Sequence, residues 1–282
     1  QTILIGFAFF SICAFWQFYD NEIPKILKYT FGMKETMTGL IMSLDNILAL
    51  FLLPLFGRWS DHTDTRIGKR MPFILIGNLL ACIFLLILGH LTQIGPFIFC
   101  LVLLLLAMGI YRSPAVSLMA DLTPAPLRSQ GNAIINLMGA LGCVCTLFLI
   151  KVLLHKNQYM PLILSLVLLM FISILILFVT VPEKKRLDEM ETQPKTVEEK
   201  AMEASKGKKM PEAMKRSLIH ILLAVFFWYS AYNAVTTAYS RYAQQVWHLQ
   251  NGAYADCLMV GTVAAVLSYL PVGHVAQKIG RK

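Results

Sequence analysis

Four charged side chains sit where the surrounding sequence is apolar. Asp20 and Glu22 flank Asn21 just before Pro24, Asp45 precedes Asn46, and Arg112 interrupts the run IGPFIFCLVLLLLAMGIYRSPAVSLMA. A charge at the middle of a bilayer costs about 2.5–3.5 kcal/mol on insertion scales, so each is a functional candidate by default. A carboxyl held away from water is costly in its ionised form and is therefore suited to loading and releasing a proton. Asp45 is the first candidate for this role, because the apolar sequence on both sides leaves its short side chain no route to a surface. Asp20 and Glu22 are the alternative carriers, and Arg112 is the cation that can offset the charge. Plainer readings stand beside these: Arg112 can snorkel to an interface, and Asp20 and Glu22 are solvated if the helix ends at Pro24.

A second group has the chemistry of a polar ligand site. Trp16 and Trp228 stand in corresponding contexts, Phe15-Trp16 with Asn21 and Phe227-Trp228 with Asn233, and Tyr19, Tyr229 and Tyr232 lie close by. Such rings can stack on the apolar faces of a sugar while Asn21, Asn46 and Asn233 supply donors and acceptors. Ordinary packing accounts equally well for any one of them. Asn132 and Asn136, one helical turn apart, can reach a substrate or bridge helices, and bridging is the favoured reading. The six cysteines lie inside apolar segments without metal-ligand spacing. No nucleophile elbow, metal-ligand cluster or phosphate-cradling glycine loop is present, so no enzyme activity, metal or cofactor is expected.

The elements that must hold these residues are membrane helices. Of 282 residues 57% are hydrophobic and 15% charged, against roughly 45–50% and 25% in soluble domains. Apolar runs near the ~20 residues needed to cross hydrocarbon predict eight spans: Ile3–Tyr29, Met37–Phe56, Phe73–Leu91, Pro96–Ala120, Asn132–Leu154, Pro161–Val181, Leu218–Tyr242 and Ala253–Ala276. The third and sixth are almost free of charge and read as lipid-facing supports; the first, second and fourth should line a cavity. Between the sixth and seventh, residues 183–216 are dense in Lys and Glu and read as a charged linker. The expected organisation is a six-helix bundle over 1–182, this linker, and the first two helices of a second bundle over 217–282. Gln1 and the missing second half suggest a chain trimmed at both ends, which should insert into a membrane but not transport alone.

Charge placement gives an orientation. The net charge is +9, and Arg58, Arg66, Lys69, Arg70, Arg112, Arg128, ten linker cations, Lys278, Arg281 and Lys282 cluster on one side. The positive-inside rule makes that side, and the N-terminus, cytoplasmic. The basic balance is thereby explained without nucleic acid.

Following the second span the chain reads GRWSDHTDTRIGKRMPFILIG, in which Gly57 suggests a tight turn and Asp61 an anchor for Arg66, Lys69 and Arg70. With Ser60, Gly68 and Pro72 this resembles the cytoplasmic loop motif of the major facilitator superfamily, in the lengthened form of the glycoside, pentoside and hexuronide cation symporters and the sucrose and proton symporters. ADLTPAPLRSQGNAI is similar to the loop joining helices four and five in the sucrose-type relatives, matching at Asp121, Pro124, Arg128 and Asn132. GHVAQKIGRK is similar to the second-half version of the first loop, with Gln277 in place of an acid. Leu53 and Ala49 stand where melibiose-type sodium symporters carry aspartates, which argues against that kind of sodium coupling.

The resemblance implies an all-α, multi-pass protein of the cell membrane, monomeric at full length, with the lipid bilayer as its surroundings and a small-molecule substrate, a disaccharide or other glycoside, carried with protons by alternating access. Gly57, Asp61, Arg66, Gly68, Lys69, Arg70, Asp121 and Arg128 would form its conformational loop. The competing readings are transport of another small solute, such as a drug or an amino acid, and a receptor that transports nothing.

Overall fold

The computed structural model describes residues 2–123, 128–154, 158–191, 212–249 and 253–279. The elements are α1 (Thr2–Lys25), continued by a π turn (Ile26–Thr30), α2 (Glu35–Met42), α3 (Leu44–Asp61), α4 (Met71–Leu88), α5 (Ile94–Asp121), α6 (Arg128–Leu153), α7 (Met160–Thr180), α8 (Glu183–Glu191), α9 (Glu212–Val246) and α10 (Tyr254–Ile279). Among the described residues seven helical stretches are long and apolar enough to cross a membrane, with the shorter apolar stretch Tyr254–Ser268 of α10 as an eighth.

Prolines shape three of the spans. Pro24 lacks an N–H, so the turn behind it loses one hydrogen bond. α1 nevertheless runs through it and then widens into the π turn. Glu22 therefore lies inside the helix, fully buried, and not in water beyond an early end. The second predicted span starts at Glu35 and is interrupted at Ser43, whose hydroxyl donates to the Leu40 carbonyl. Pro72 and Pro161, by contrast, sit in the first turns of α4 and α7, where their fixed φ favours a helix start.

α1 lies along α6 and also touches α5, α7 and α9; α4 packs between α5 and α7, α3 against α5, and α10 against α6. Lipid tails are as apolar as side chains, so such helices associate by close packing of small residues and a few hydrogen bonds. At the α1–α6 seam a Cβ on Gly142 would strike the Phe10 carbonyl, and one on Gly139 would meet the Cys13 sulfur at 2.8 Å. Thr146 donates to the Ala14 carbonyl at 3.1 Å and Tyr111 of α5 to the Ala8 carbonyl at 2.8 Å.

Gly57 makes no turn. It lies within α3, which continues to Asp61, and its missing Cβ admits Ser113 of α5, which donates to the Leu53 carbonyl at 2.7 Å. The turn comes later, at Gly68, whose φ of +124° favours glycine. Asn132 and Asn136 are exposed on α6 and bridge no helices among the described residues.

Candidate functional site

A cavity of about 170 Å³ opens between α1, α3, α5 and α9. Trp16, Asp20, Met42, Asp45, Asn46, Arg112, Tyr229, Asn233 and Thr237 line it. Two carboxylates thus face one guanidinium: Asp20 from α1 and Asp45 from α3 line the same cavity as Arg112 from α5, near enough to feel its charge and each other's but without an ion pair to it among the described residues. Asn46 donates to Asp45 at 2.8 Å, and the Arg112 guanidinium stands 5.5 Å from the centre of the Trp16 ring, a distance at which cation and π face attract. A narrow apolar extension of the cavity runs from Asp45 and Arg112 between Leu48, Leu52, Leu53, Leu105 and Met108.

The other residues singled out from sequence lie elsewhere. Tyr19 and Asn21 are buried in the packing of α1: Tyr19 stacks on Phe15 with centroids 6.0 Å apart, and Asn21 donates to the Gln17 carbonyl at 2.8 Å. On α9, Trp228 is 62% exposed and stacks on Tyr232, while its neighbour Tyr229 faces the cavity. The correspondence between Trp16 and Trp228 in sequence is therefore displaced by one residue in space. Buried polar atoms without a hydrogen-bond partner among the described residues include the Trp16 indole nitrogen, the Tyr19 hydroxyl, one oxygen of Asn21 and one of Glu22.

Glu22 belongs to a separate cluster at the far end of α1. Lys25, one turn on, donates to it at 2.8 Å and to the Tyr254 hydroxyl at 2.9 Å, and Tyr254 closes the triangle by donating to Glu22. Glu22, Lys25 and Tyr254 are 0, 1 and 0% exposed. Around them Ser240 of α9 donates to the Asn21 carbonyl at 3.2 Å, Lys28 and Arg241 both pair with Glu35, and Lys151 meets Asp256 at 2.7 Å. The spacing of Glu22 and Lys25 suits an ion pair on one helix face; nothing in the sequence points to Tyr254.

At the opposite end lies the loop after α3. Arg70 reaches partners on two helices: on α3 it pairs with Asp61 and donates to Ser60 and, at 3.2 Å, to the Gly57 carbonyl, and on α5 it donates to Asp121 at 2.9 Å. Arg66, named in the sequence as a partner of Asp61, instead lines a pocket beside α7, and Lys69 is exposed. The side chain of Arg128 lies outside the described residues, as do those of Gln277 and its neighbours.

Sequence reasoning did not find Glu183. Its carboxylate accepts the backbone N–H groups of Lys69, Arg70 and Met71 at 2.8–3.1 Å, the unpaired donors that begin α4. Burial pushes the Glu183 carboxyl up from its ordinary value, opposed by those three N–H groups and the Arg70 charge. A Cβ on Gly68 would run into this carboxylate. The signal available was an acid directly after Pro182, at the end of a span.

Residues 5–282 match the sequence model of the Major Facilitator Superfamily. The sucrose transport protein SUC3 of Arabidopsis thaliana is 30% identical over 135 residues, covering 40% of this chain and 23% of its own length. The proton-associated sugar transporter A of Homo sapiens is 41% identical over 45 residues, 16% of this chain and 6% of its own. The chain spans about a quarter of the length of the sucrose transport proteins it matches. Among solved structures, a D-xylose-proton symporter superposes with a TM-score of 0.65 at 14% identity over 98% of this chain and 68% of that one. A peptide transporter crystallised with alafosfalin gives 0.63 at 15% over 99% and 68%, and these two likenesses concern the fold alone.

Proposed function

The chain belongs to the major facilitator superfamily, and on that premise we propose that it is part of a secondary transporter that carries a sugar together with a proton. The observation that carries this reading is the cavity in which Asp20 and Asp45 face one Arg112 beside Trp16, Asn46, Tyr229 and Asn233. Two carboxylates against one guanidinium leave one negative charge uncompensated. At the depth of an apolar bundle such a charge is costly, and a proton is the smallest ion that removes it. Asp45, with Asp20 as its alternate, holds that proton; Arg112 pairs with whichever carboxylate is ionised.

The substrate class rests on the relatives' printed names and on the chemistry of the lining. The Trp16 indole N–H has no partner among the described residues, and Asn46, Asn233 and Thr237 add donors and acceptors around an aromatic wall. Sugar hydroxyls and ring faces complement such a lining. The first bundle (1–182) and the last two spans (217–282), joined through 183–216, rock about this cavity, exposing it to alternate sides. In the cell membrane the N-terminus and the Asp61 loop face the cytoplasm.

Uptake of a panel of labelled glycosides, amino acids and peptides into liposomes containing the full-length protein tests the reading, with and without a pH gradient. Asp45→Asn should abolish gradient-driven accumulation while sparing exchange, because amide and protonated acid are both neutral. Accumulation surviving in both Asp45→Asn and Asp20→Asn would remove proton carriage from this cavity. A preference for amino acids or peptides would replace the sugar, and absence of any flux would favour a receptor. Orientation is tested separately by cysteines at Thr63 and Gln93: a membrane-impermeant thiol reagent applied to intact cells should label only the second.

A further inference from the structure

A second cavity, of about 270 Å³, lies at the end of the bundle away from the Tyr254 cluster, between the loop after α3 and the end of α7. Arg66, Lys184 and Lys185 stand on its rim, and Ile67, Met71, Phe178, Val181 and Pro182 form its walls. Two acids lie near. Glu183 is occupied by the three backbone N–H groups that begin α4, and Asp64 is bonded to Lys184 at 3.3 Å. Arg66 and Lys185 have no ion-pair partner among the described residues. The cavity therefore presents uncompensated positive charge over an apolar floor.

The surroundings specify the ligand further. On α7 the exposed side chains Leu164, Leu168, Phe171, Leu175 and Phe178 run the length of the helix and end at the cavity mouth, and α4, packed beside it, exposes Ile76, Leu79, Ile83 and Ile87. Neither helix carries a charged residue. This is a strip for hydrocarbon leading to a cationic cup. A soluble anion would use the cup and ignore the strip; a phospholipid uses both. The volume lies below the roughly 300–1,000 Å³ of pockets that enclose whole drug-sized molecules, which suits a headgroup whose chains stay outside.

We propose that this cavity binds the headgroup of one anionic phospholipid, its phosphate between Arg66 and Lys185 and its acyl chains along α4 and α7. The proposal needs the membrane reading of the chain but not the sugar reading. Because the cup adjoins the Glu183 carboxylate that holds the backbone of Lys69, Arg70 and Met71, a bound lipid would brace the loop that carries Arg70.

The experiment is lipid retention. The protein is extracted from bilayers of equimolar phosphatidylglycerol and phosphatidylcholine, and bound lipid is counted by native mass spectrometry. Phosphatidylglycerol should be retained in preference to phosphatidylcholine. Near a membrane surface each cation contributes to anionic lipid binding, so Arg66→Gln/Lys185→Gln should weaken retention about thirtyfold and Arg66→Lys/Lys185→Arg should restore it. Lys185→Gln alone, at an exposed position, should weaken it about fivefold and keeps the test decisive should the double variant misfold. Equal retention of the two lipids, or retention unaffected by Lys185→Gln in a folded protein, overturns the proposal. So does complete displacement of phosphatidylglycerol by inorganic phosphate at equal concentration, which would make the cup a site for a soluble anion.

Discussion

The two ends of the bundle hold their charges differently. At the end where α1 finishes and α10 begins, the polar contacts cross from the first six helices to the last two: Tyr254 to Glu22 and Lys25, Ser240 to Asn21, Arg241 to Glu35, Asp256 to Lys151. At the other end the partners of Arg70, Glu183 and Lys184 among the described residues all lie in the chain before residue 192. The first network joins two units that must separate if the cavity is to open there. The second ties one unit to itself and can travel with it. The difference extends to solvation. Glu22, Lys25 and Tyr254 are sealed from solvent, whereas Asp61 and Asp121 are 54 and 34% exposed around a buried Arg70. Damage should therefore be more costly at the Tyr254 end and should change a different quantity.

The largest effect is expected from Lys25→Met. Removing one member of a buried ion pair strands the other, at about 3–5 kcal/mol. Chemical unfolding in detergent should show that loss, and an impermeant reagent should reach cysteines near Tyr254 faster. Adding Glu22→Leu should recover most of the stability, since an apolar pair of similar volume is often neutral or better. A loss below 1 kcal/mol for the single variant would mean that water reaches the pair, and the contrast in solvation would fall.

Next is Arg70→Lys, which keeps the charge and discards the fork. A lysine cannot serve Asp61, Asp121, Ser60 and the Gly57 carbonyl from one position, and each lost hydrogen bond to a charged group is worth about 1.5–3 kcal/mol. Because the network lies within one unit, the prediction is slower transport with substrate affinity unchanged within a few-fold. Loss of binding in a folded protein would place Arg70 in the substrate site.

These two ends were unequally legible in the sequence. The spans and the charged loop follow from apolar run length and from Asp61, Gly68 and Arg70 standing together within ten residues or so of chain; of the charged stretch 183–216, residues 192–211 lie outside the described residues and its start is the helix α8 with Glu183 buried. Local sequence does not carry contacts between distant segments, so Tyr254 and Glu183, 232 and 112 residues from their main partners, had no signal of comparable strength. The cavity was legible in part. Asp20, Asp45, Arg112, Trp16, Asn46 and Asn233 do come together, because intramembrane charge and polarity are costly enough to mark positions that face inward. Helix rotation is what the sequence withheld: it turned Tyr229 to the cavity and Trp228 away, and buried Tyr19 and Asn21 within the bundle.

Gly68→Ala probes the self-contained end without removing a charge. A side chain at φ +124° is strained, and its Cβ would displace the Glu183 carboxylate from the start of α4. Backbone strain of this kind costs about 1–3 kcal/mol. Glu183→Gln should lose part of the same stability, and the double variant should lose less than the sum, since the two changes damage one contact. Strict additivity would show that Gly68 is needed for its turn alone.

The smallest effect is expected at Lys151 and Asp256, and it sharpens the comparison by isolating position from burial. This pair crosses between α6 and α10 as the Glu22 cluster crosses between α1 and α10, but both side chains are 49% exposed. Water screens such a pair, and fixing two mobile side chains offsets most of the attraction, so exposed pairs contribute about 0.2–1 kcal/mol. Lys151→Ala should therefore leave unfolding nearly unchanged at moderate salt. It should still shift the conformational balance slightly, because whatever the pair contributes is present only while α6 and α10 are together at this end. The measurable sign is a modest rise in external cysteine accessibility at low ionic strength that disappears in high salt, where surface charges are screened within about 3 Å at 1 M. A Lys151→Ala effect as large as that of Lys25→Met would show that crossing between units, and not desolvation, sets the strength of the seal.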